Sequence, residues 1–306
     1  MSDAADPRLA ALTASIRDLR DQVKAARKLT GGVAGMAARL DVRVQQLLAL
    51  REQEPDLGAR LDRLAGVLDV PRIAAHVEAV VARAGIVDWP SPHALVAPLL
   101  PADVYQAAVD ALPPPIFFAA AGRRRPSEGQ AAPVTSLELP MPPALGPVRS
   151  VITWRFLTEC TVDVLGPALM ERFRDVIDRH VRSLRPPAAG RLEESLRLTA
   201  SHGRLVLRRP GYQVRARRPR PWHFLSTTVS LAREADTSEH GSLVRGPAGD
   251  EGTVRIPFQP NTALTVFDVA GAHAYDSIPE TSAPGTERYS YEFPIGPDSV
   301  SRERLG

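Results

Sequence analysis

Short apolar runs recur along the C-terminal third of the chain, separated by Gly, Pro, Asn and Asp. The clearest are Gly203–Tyr212, Phe224–Leu231, Val254–Asn261, Thr262–Phe267, His273–Pro279 and Arg288–Phe293. Short β-type runs that recur about every ten residues, with turn residues between them, are typical of sandwiches and jelly rolls. The pattern therefore predicts a β-barrel between Ser201 and Pro294.

Residues 7 to 85 show a different spacing, with apolar positions three or four residues apart and charged residues between them. This periodicity predicts a series of helices, the last of which begins at Pro71 in a first-turn position. The heptads are too irregular to predict a long coiled coil. We interpret this region as a small helical cap or dimerisation element, with a partner-recognition module as the alternative.

The middle of the chain mixes both patterns. It predicts a short strand at Ala94–Leu100, a buried strand at Ile116–Phe118 and a long amphipathic helix over Glu159–Leu184. Two polar or proline-rich stretches, residues 122–147 and 233–252, read as loops. The fold predicted for the whole chain is α+β: an all-helical region over residues 1–87, then a barrel domain with supporting helices over residues 88–306.

Composition narrows the class of protein. Apolar residues make up 44% and charged residues 24% of the chain, as in globular proteins. Cys160 is the only cysteine, which excludes an internal disulfide and fits a reducing compartment. The first six residues are acidic, unlike a signal peptide, and no apolar run reaches about 18 residues. We therefore expect a cytoplasmic protein that does not enter the membrane. The net charge of +3 does not predict nucleic-acid binding, which needs a clustered basic patch.

Several motifs follow one another between residues 94 and 296. They are Leu99-Leu-Pro-Ala-Asp-Val-Tyr105, Ala111-Leu-Pro113, Arg209-Pro-Gly-Tyr212, Phe224-Leu-Ser226, Pro260-Asn261, His273 and Arg288. In order and spacing this set resembles the Fe(II)/2-oxoglutarate-dependent oxygenases, in their bacterial prolyl-hydroxylase-like branch. The resemblance covers about two-thirds of the chain. It implies that the C-terminal barrel is a double-stranded β-helix, the jelly roll of that family.

The resemblance also implies a site. In that family a His-x-Asp pair and a distal His hold iron and leave positions open for 2-oxoglutarate and dioxygen. His273 takes the place of the distal His, and Arg288 that of the residue that binds the far carboxylate of 2-oxoglutarate. Arginine suits this role because its planar fork binds a carboxylate through two hydrogen bonds. Fe(II) and 2-oxoglutarate are the implied cofactors, and hydroxylation of an unactivated C–H bond is the implied reaction.

The expected His-x-Asp pair is missing from this chain. Its positions fall on Arg217, Arg218 and Pro219, and Val206–Trp222 contains no His, Asp or Glu. Arginine does not deprotonate and proline has no side-chain donor atom, so none of these residues ligates a metal. Arg217 and Arg218 would instead add positive charge where iron would sit, which predicts an anion-binding site that needs no metal.

Three functions follow from these residues. The favoured one is a non-catalytic or repurposed family member, since the missing pair argues against iron binding. Such a protein would take a small-molecule or peptide ligand and form homo-oligomers through its N-terminal helices. The first alternative is an active Fe(II)/2-oxoglutarate-dependent dioxygenase with ligands relocated to His223 or His240. The second is a metal-independent enzyme that uses the barrel mouth. For both His273 and Arg288 an ordinary structural role is the competing interpretation.

Overall fold

In the computed structural model, the helical pattern near residues 57 and 71 forms the first two helices among the described residues. The structure describes residues 57–120, 134–141, 147–184, 197–209, 224–231, 241–245, 253–267, 273–276 and 287–298. Helix α1 spans Leu57–Val67 and helix α2 spans Val70–Arg83. Asp69 caps α2 by accepting a hydrogen bond from the backbone N–H of Arg72 at 3.3 Å.

Helix α2 is packed into the main hydrophobic core. Its residues Ile73, Val77, Val80 and Val81 are buried in the same cluster as side chains from the β-strands. The rest of the predicted helical region, residues 1–56, lies outside the described residues. The boundary between residues 87 and 88 and the dimerisation role therefore stay predictions.

Twelve strands are described. They are β1 (Ile86–Val87), β2 (His93–Val96), β3 (Ala119–Ala120), β4 (Val134–Glu138), β5 (Leu198–Ala200), β6 (Arg204–Arg208), β7 (Leu225–Ser230), β8 (Gly241–Arg245), β9 (Thr253–Pro257), β10 (Thr262–Phe267), β11 (His273–Asp276) and β12 (Arg288–Pro297). Nine of them form a large sheet in the order β1-β2-β10-β7-β12-β6-β4-β3, with β5 also paired to β12. The other three form a small sheet in the order β11-β8-β9. Every described pairing is antiparallel.

The two sheets meet at strand β10. Leu264 and Val266 of β10 form a hydrophobic cluster with Val244 of β8, and Ile256 of β9 packs against it. The chain therefore passes from the large sheet to the small sheet at β8, returns at β10, crosses again at β11 and ends in the large sheet at β12. The predicted β-rich C-terminal domain with supporting helices is confirmed at this level.

Several local predictions were wrong. Strand β4 lies inside the predicted loop 122–147, and strand β8 lies inside the predicted loop 233–252. Both are five residues long and owe their structure to pairing with β6 and β9, which the local sequence does not reveal. The buried strand predicted at Ile116–Phe118 is a 3₁₀ turn over Pro115–Phe117, with Ile116 exposed.

The long helix predicted at Glu159–Leu184 starts earlier and is broken. Helix α3 spans Ala102–Asp110, and α4 then runs from Val148 to Cys160. A π-turn follows over Thr161–Leu165, and after it come α5 (Gly166–Arg172) and α6 (Arg174–Leu184). Pro167 explains the π-turn, because proline donates no hydrogen bond to the preceding turn and its ring displaces that turn's carbonyl group. Of the apolar positions predicted on one face of this helix, 165, 169, 173, 177 and 181 are nevertheless buried, while Val162 is only partly buried.

These helices cover one face of the large sheet. Trp154 of α4 is fully buried there, and its indole N–H donates to the carbonyl oxygen of Ala111 at 3.1 Å. Leu169, Phe173 and Ile177 join the same core as Leu205 and Phe293 from the strands. None of the helices among the described residues has both the length and the apolar character needed to cross a bilayer.

Candidate functional site

Strand β12 separates two environments, because successive side chains of a strand point to opposite faces of the sheet. Tyr291, Phe293 and Ile295 pack in the helix-covered core. Arg288, Ser290 and Glu292 alternate with them and therefore lie on the opposite face, which we call the inner face. The same face of β10 carries Leu264 and Val266, which touch the small sheet.

The strand register places a set of polar residues on the inner face. Arg288 of β12 lies opposite Arg208 of β6. Ser290 of β12 lies opposite Ser230 of β7, and Ser230 in turn lies opposite Thr262 of β10. Glu292 lies opposite Arg204 on one side and Thr228 on the other. The inner face thus presents guanidinium groups and hydroxyls on four neighbouring strands, and this is the candidate site.

Arg288 lies at the start of β12 and is 4% exposed. Its guanidinium carbon is 5.1 Å from the centroid of the Phe258 ring, within the range of a cation–π contact. Phe258 is itself buried and follows β9. Residues from both sheets therefore meet at this arginine. Arg288 therefore does not lie on a solvent-facing side of its strand.

Glu292 is held between two arginines. Arg204 donates to Glu292 Oε2 from Nε at 3.3 Å and from Nη2 at 3.1 Å, and Arg208 Nη2 donates to Oε1. Burial alone would raise the pKa of Glu292, but the two guanidinium groups outweigh this and hold the pKa below its usual range. Glu292 is therefore ionised at neutral pH, and both of its oxygens accept hydrogen bonds.

The predicted metal residues are not brought together by the described part of the chain. His273 begins β11 in the small sheet, with its backbone opposite Arg245, and its side chain is not among those described. Arg217, Arg218, Pro219, His223 and His240 lie outside the described residues. Within the residues that are described, no group of three His, Cys, Asp or Glu side chains could hold a metal ion.

The donor set does not fit the iron centre that the resemblance implies. The segment expected to supply two ligands contains no His, Asp or Glu, and its described beginning on β6 carries Arg208 facing the inner side. A guanidinium group repels a cation and offers no lone pair to it.

Two of the motifs behind the resemblance have structural roles. Asn261 adopts a positive φ of 55° in the turn before β10. Its side-chain Oδ1 accepts from the N–H of Leu100 at 2.8 Å, and its Nδ2 donates to the Leu100 carbonyl oxygen at 2.7 Å. Tyr105 donates from its hydroxyl to the Ser230 carbonyl oxygen at 3.3 Å. These bonds tie the loop after β2 and helix α3 to the strands that carry the site.

A cavity lies on the other, helix-covered side of the large sheet. It has a volume of about 30 Å³ between β7, β12 and the helices, and it is almost entirely apolar. Cys160 and Val164 line it beside the π-turn. Burial, followed by the carboxylates of Asp163 and Glu159, raises the pKa of the Cys160 thiol to about 11. The thiol is therefore protonated and inert at neutral pH, although its side chain is half-buried rather than fully buried.

Sequence reasoning found Arg288 but missed Arg208, Ser290 and Glu292. A signal was present, because Arg-x-Ser-x-Glu over 288–292 and Arg-x-x-x-Arg over 204–208 both place charges on one face of a strand. What the sequence did not reveal is that β6 and β12 are neighbours, since 79 residues separate the two strands along the chain, from residue 209 to residue 287.

No family model matches this chain, and no curated protein matches it either. Solved structures do resemble it. One is a prolyl hydroxylase from Trichoplax adhaerens in complex with a hypoxia inducible factor oxygen degradation domain peptide fragment, with 10% identity, a TM-score of 0.45 and coverage of 83% of this chain and 99% of that chain.

Two bacterial proteins are also similar. A prolyl-4-hydroxylase from Pseudomonas putida has 15% identity and a TM-score of 0.39, over 73% of this chain and 98% of that one. HygX from Streptomyces hygroscopicus, solved with nickel and 2-oxoglutarate bound, has 9% identity and a TM-score of 0.39, over 68% of this chain and 83% of that one. At such identities no residue role passes from these proteins to this chain.

Proposed function

We propose that this chain is a jelly-roll protein of the 2-oxoglutarate-oxygenase type whose barrel binds a small carboxylate ligand through Arg288, without a complete iron centre. The observation that carries the proposal is the buried guanidinium group of Arg288 on the inner face, against Phe258. The passage of the chain between two antiparallel sheets supports the jelly roll, in which consecutive strands alternate between the sheets.

A carboxylate is the ligand class that these residues suit best. Arginine binds it through two parallel hydrogen bonds, and a buried guanidinium group attracts an anion more strongly than an exposed one because water screens it less. The ring of Phe258 restricts the arginine side chain, so less conformational freedom is lost when a ligand binds. The neighbouring hydroxyls of Ser290 and Ser230 can serve as further donors.

The missing metal ligands favour a non-catalytic or repurposed role. Iron held by His273 alone would be labile, and Arg208 adds positive charge to the same face of the sheet. Arg217 and Arg218 would reinforce this anion-binding character. Homo-oligomers formed through residues 1–87 belong to the same proposal.

The test is to purify the full chain, reconstitute it anaerobically with Fe(II), and measure bound iron, 2-oxoglutarate affinity and succinate formation. We expect substoichiometric iron, no turnover and saturable 2-oxoglutarate binding. Arg288→Ala should weaken that binding at least about tenfold, because a charge-assisted hydrogen bond is lost. The 2-oxoglutarate affinity of Arg288→Lys should lie between that of the wild type and that of Arg288→Ala. Lysine keeps the positive charge but lacks the planar fork that makes two hydrogen bonds.

Arg155→Ala is the matched control, because Arg155 is an exposed arginine paired with Glu159 on helix α4. It should leave 2-oxoglutarate affinity unchanged. Stoichiometric iron with succinate formation would overturn the proposal in favour of an active dioxygenase with relocated ligands. Turnover of a substrate without iron would favour the metal-independent enzyme. Absence of 2-oxoglutarate binding would show that Arg288 has a structural role.

A further inference from the structure

Glu292 is the carboxylate that the described inner face buries most deeply. Its side chain is 17% exposed, and that of Arg208, which it binds, is 6% exposed. The second partner, Arg204, is 42% exposed, so water screens its charge more strongly. The Glu292–Arg208 pair is therefore the interior part of this cluster, and Arg204 connects it to solvent.

Arg208 also lies next to Arg288, the residue that we propose binds the ligand. Arg208 and Arg288 are direct Cα partners on adjacent strands, so their side chains leave the sheet side by side on the inner face. Like charges in that position repel each other. Glu292 is on the same face, two pairs further along the register, and draws the guanidinium group of Arg208 toward itself.

The same arginine orients the hydroxyl between these residues. Arg208 Nη1 donates to Ser290 Oγ, and Ser290 is fully buried. Because the oxygen of Ser290 accepts from a cation, its own hydrogen is left to donate to another acceptor. Glu292 thus fixes Arg208, and Arg208 fixes the direction in which Ser290 donates.

We propose that Glu292 is a specificity-determining, positioning residue of this site, and that it makes the site select a carboxylate end over a doubly charged phosphonate or phosphate end. This inference rests on the proposed function. Glu292 adds a negative charge to the inner face, two pairs along the register from Arg288. Glu292 therefore repels a ligand end with two negative charges more strongly than an end with one.

The test compares glutarate with 4-phosphonobutyrate, in which one carboxylate is replaced by a phosphonate. Calorimetry at pH 8 gives both dissociation constants for the full-length protein. The wild type should prefer glutarate. Glu292→Gln should shift the ratio of the two constants toward the phosphonate by about tenfold, or about 1.4 kcal/mol. Glu292→Asp keeps the charge and should restore a ratio close to that of the wild type.

Two further variants keep the test decisive if Glu292→Gln does not fold. Arg208→Gln combined with Glu292→Gln removes both charges of the pair, so its ratio should stay near that of the wild type. A shift toward the phosphonate in this double variant would overturn the inference. Glu159→Gln, on the exposed Arg155–Glu159 pair, is the control for a surface charge and should change nothing.

The experiment distinguishes failure of the proposed carboxylate site from failure of the role proposed for Glu292. If the wild type binds neither probe, the carboxylate site is wrong, and the role of Glu292 fails with it. If the wild type binds glutarate through Arg288 but Glu292→Gln leaves the ratio unchanged, only the role of Glu292 is wrong.

Discussion

The two faces of the large sheet are built from the same strands but have opposite chemistry. On β12 the side chains of Tyr291, Phe293 and Ile295 enter a core shared with the helices. Arg288, Ser290 and Glu292 stand between them and point the other way. Burial of a face requires only apolar residues, as the helix-covered face, which we call the outer face, demonstrates. The polar character of the inner face therefore needs a reason other than burial.

Stability does not supply that reason. Taking charged groups out of water is costly, and replacing a buried ion pair by well-packed apolar residues is often neutral or stabilising. The inner face nevertheless holds Arg208 and Arg288 at 5% and 4% exposure. Where the small sheet meets β10, by contrast, the same face is apolar, with Leu264 and Val266 in contact with Val244. Among the described residues of the inner face, the buried arginines lie on β6 and β12, as expected of a binding site.

The largest loss of stability should come from removing a buried aromatic side chain from the outer face. Phe293→Ala removes a ring that is 2% exposed and lies 5.4 Å from the Tyr291 ring centroid. The cavity left behind should lower the free energy of unfolding by about 3–5 kcal/mol, measured by urea denaturation. Thr228→Ala, on the inner face, should cost less than about 1 kcal/mol. Equal losses for the two variants would contradict the division between a packing face and a binding face.

A smaller effect should follow from pushing apart the strands that carry the inner face. Gly203 precedes β6 with a φ of 74°, and a Cβ there would meet the carbonyl oxygen of Glu292 and come within 2.8 Å of the Phe293 Cβ. Gly203→Ala should therefore lower the free energy of unfolding by about 1–3 kcal/mol and weaken ligand binding as well.

Gly66→Ala is the matched control for that substitution. Gly66 lies in helix α1 with nothing within 4 Å of its would-be Cβ, so alanine should stabilise the helix by up to about 1 kcal/mol. If Gly203→Ala were equally benign under the same denaturation assay, the close approach of β6 and β12 would be in error.

Much of the fold was accessible from the sequence, while most of the site was not. Strands β6, β7, β10, β11 and β12 fall in the predicted apolar runs because turn residues delimit them. Strands β4 and β8 were missed because their stability comes from distant partners. The site suffers from the same difficulty, since Arg208 and Glu292 meet only through the register of two strands far apart in the chain.

The smallest effect concerns Cys160, which lines the apolar cavity on the outer face of the large sheet. Burial beside that cavity raises the pKa of Cys160 to about 11, so the reactive thiolate is scarce at pH 8. Native protein should react with iodoacetamide at least about tenfold more slowly than urea-unfolded protein, whose thiol has a pKa near 8.5. The native rate should rise about tenfold per pH unit up to pH 10, because each unit increases the thiolate fraction by that factor. Cys160 is the only cysteine, so mass spectrometry of the alkylated chain reports this site alone. Equal rates in native and unfolded protein at pH 8 would mean that water reaches the cavity, and the outer face would then be less dry than its lining implies.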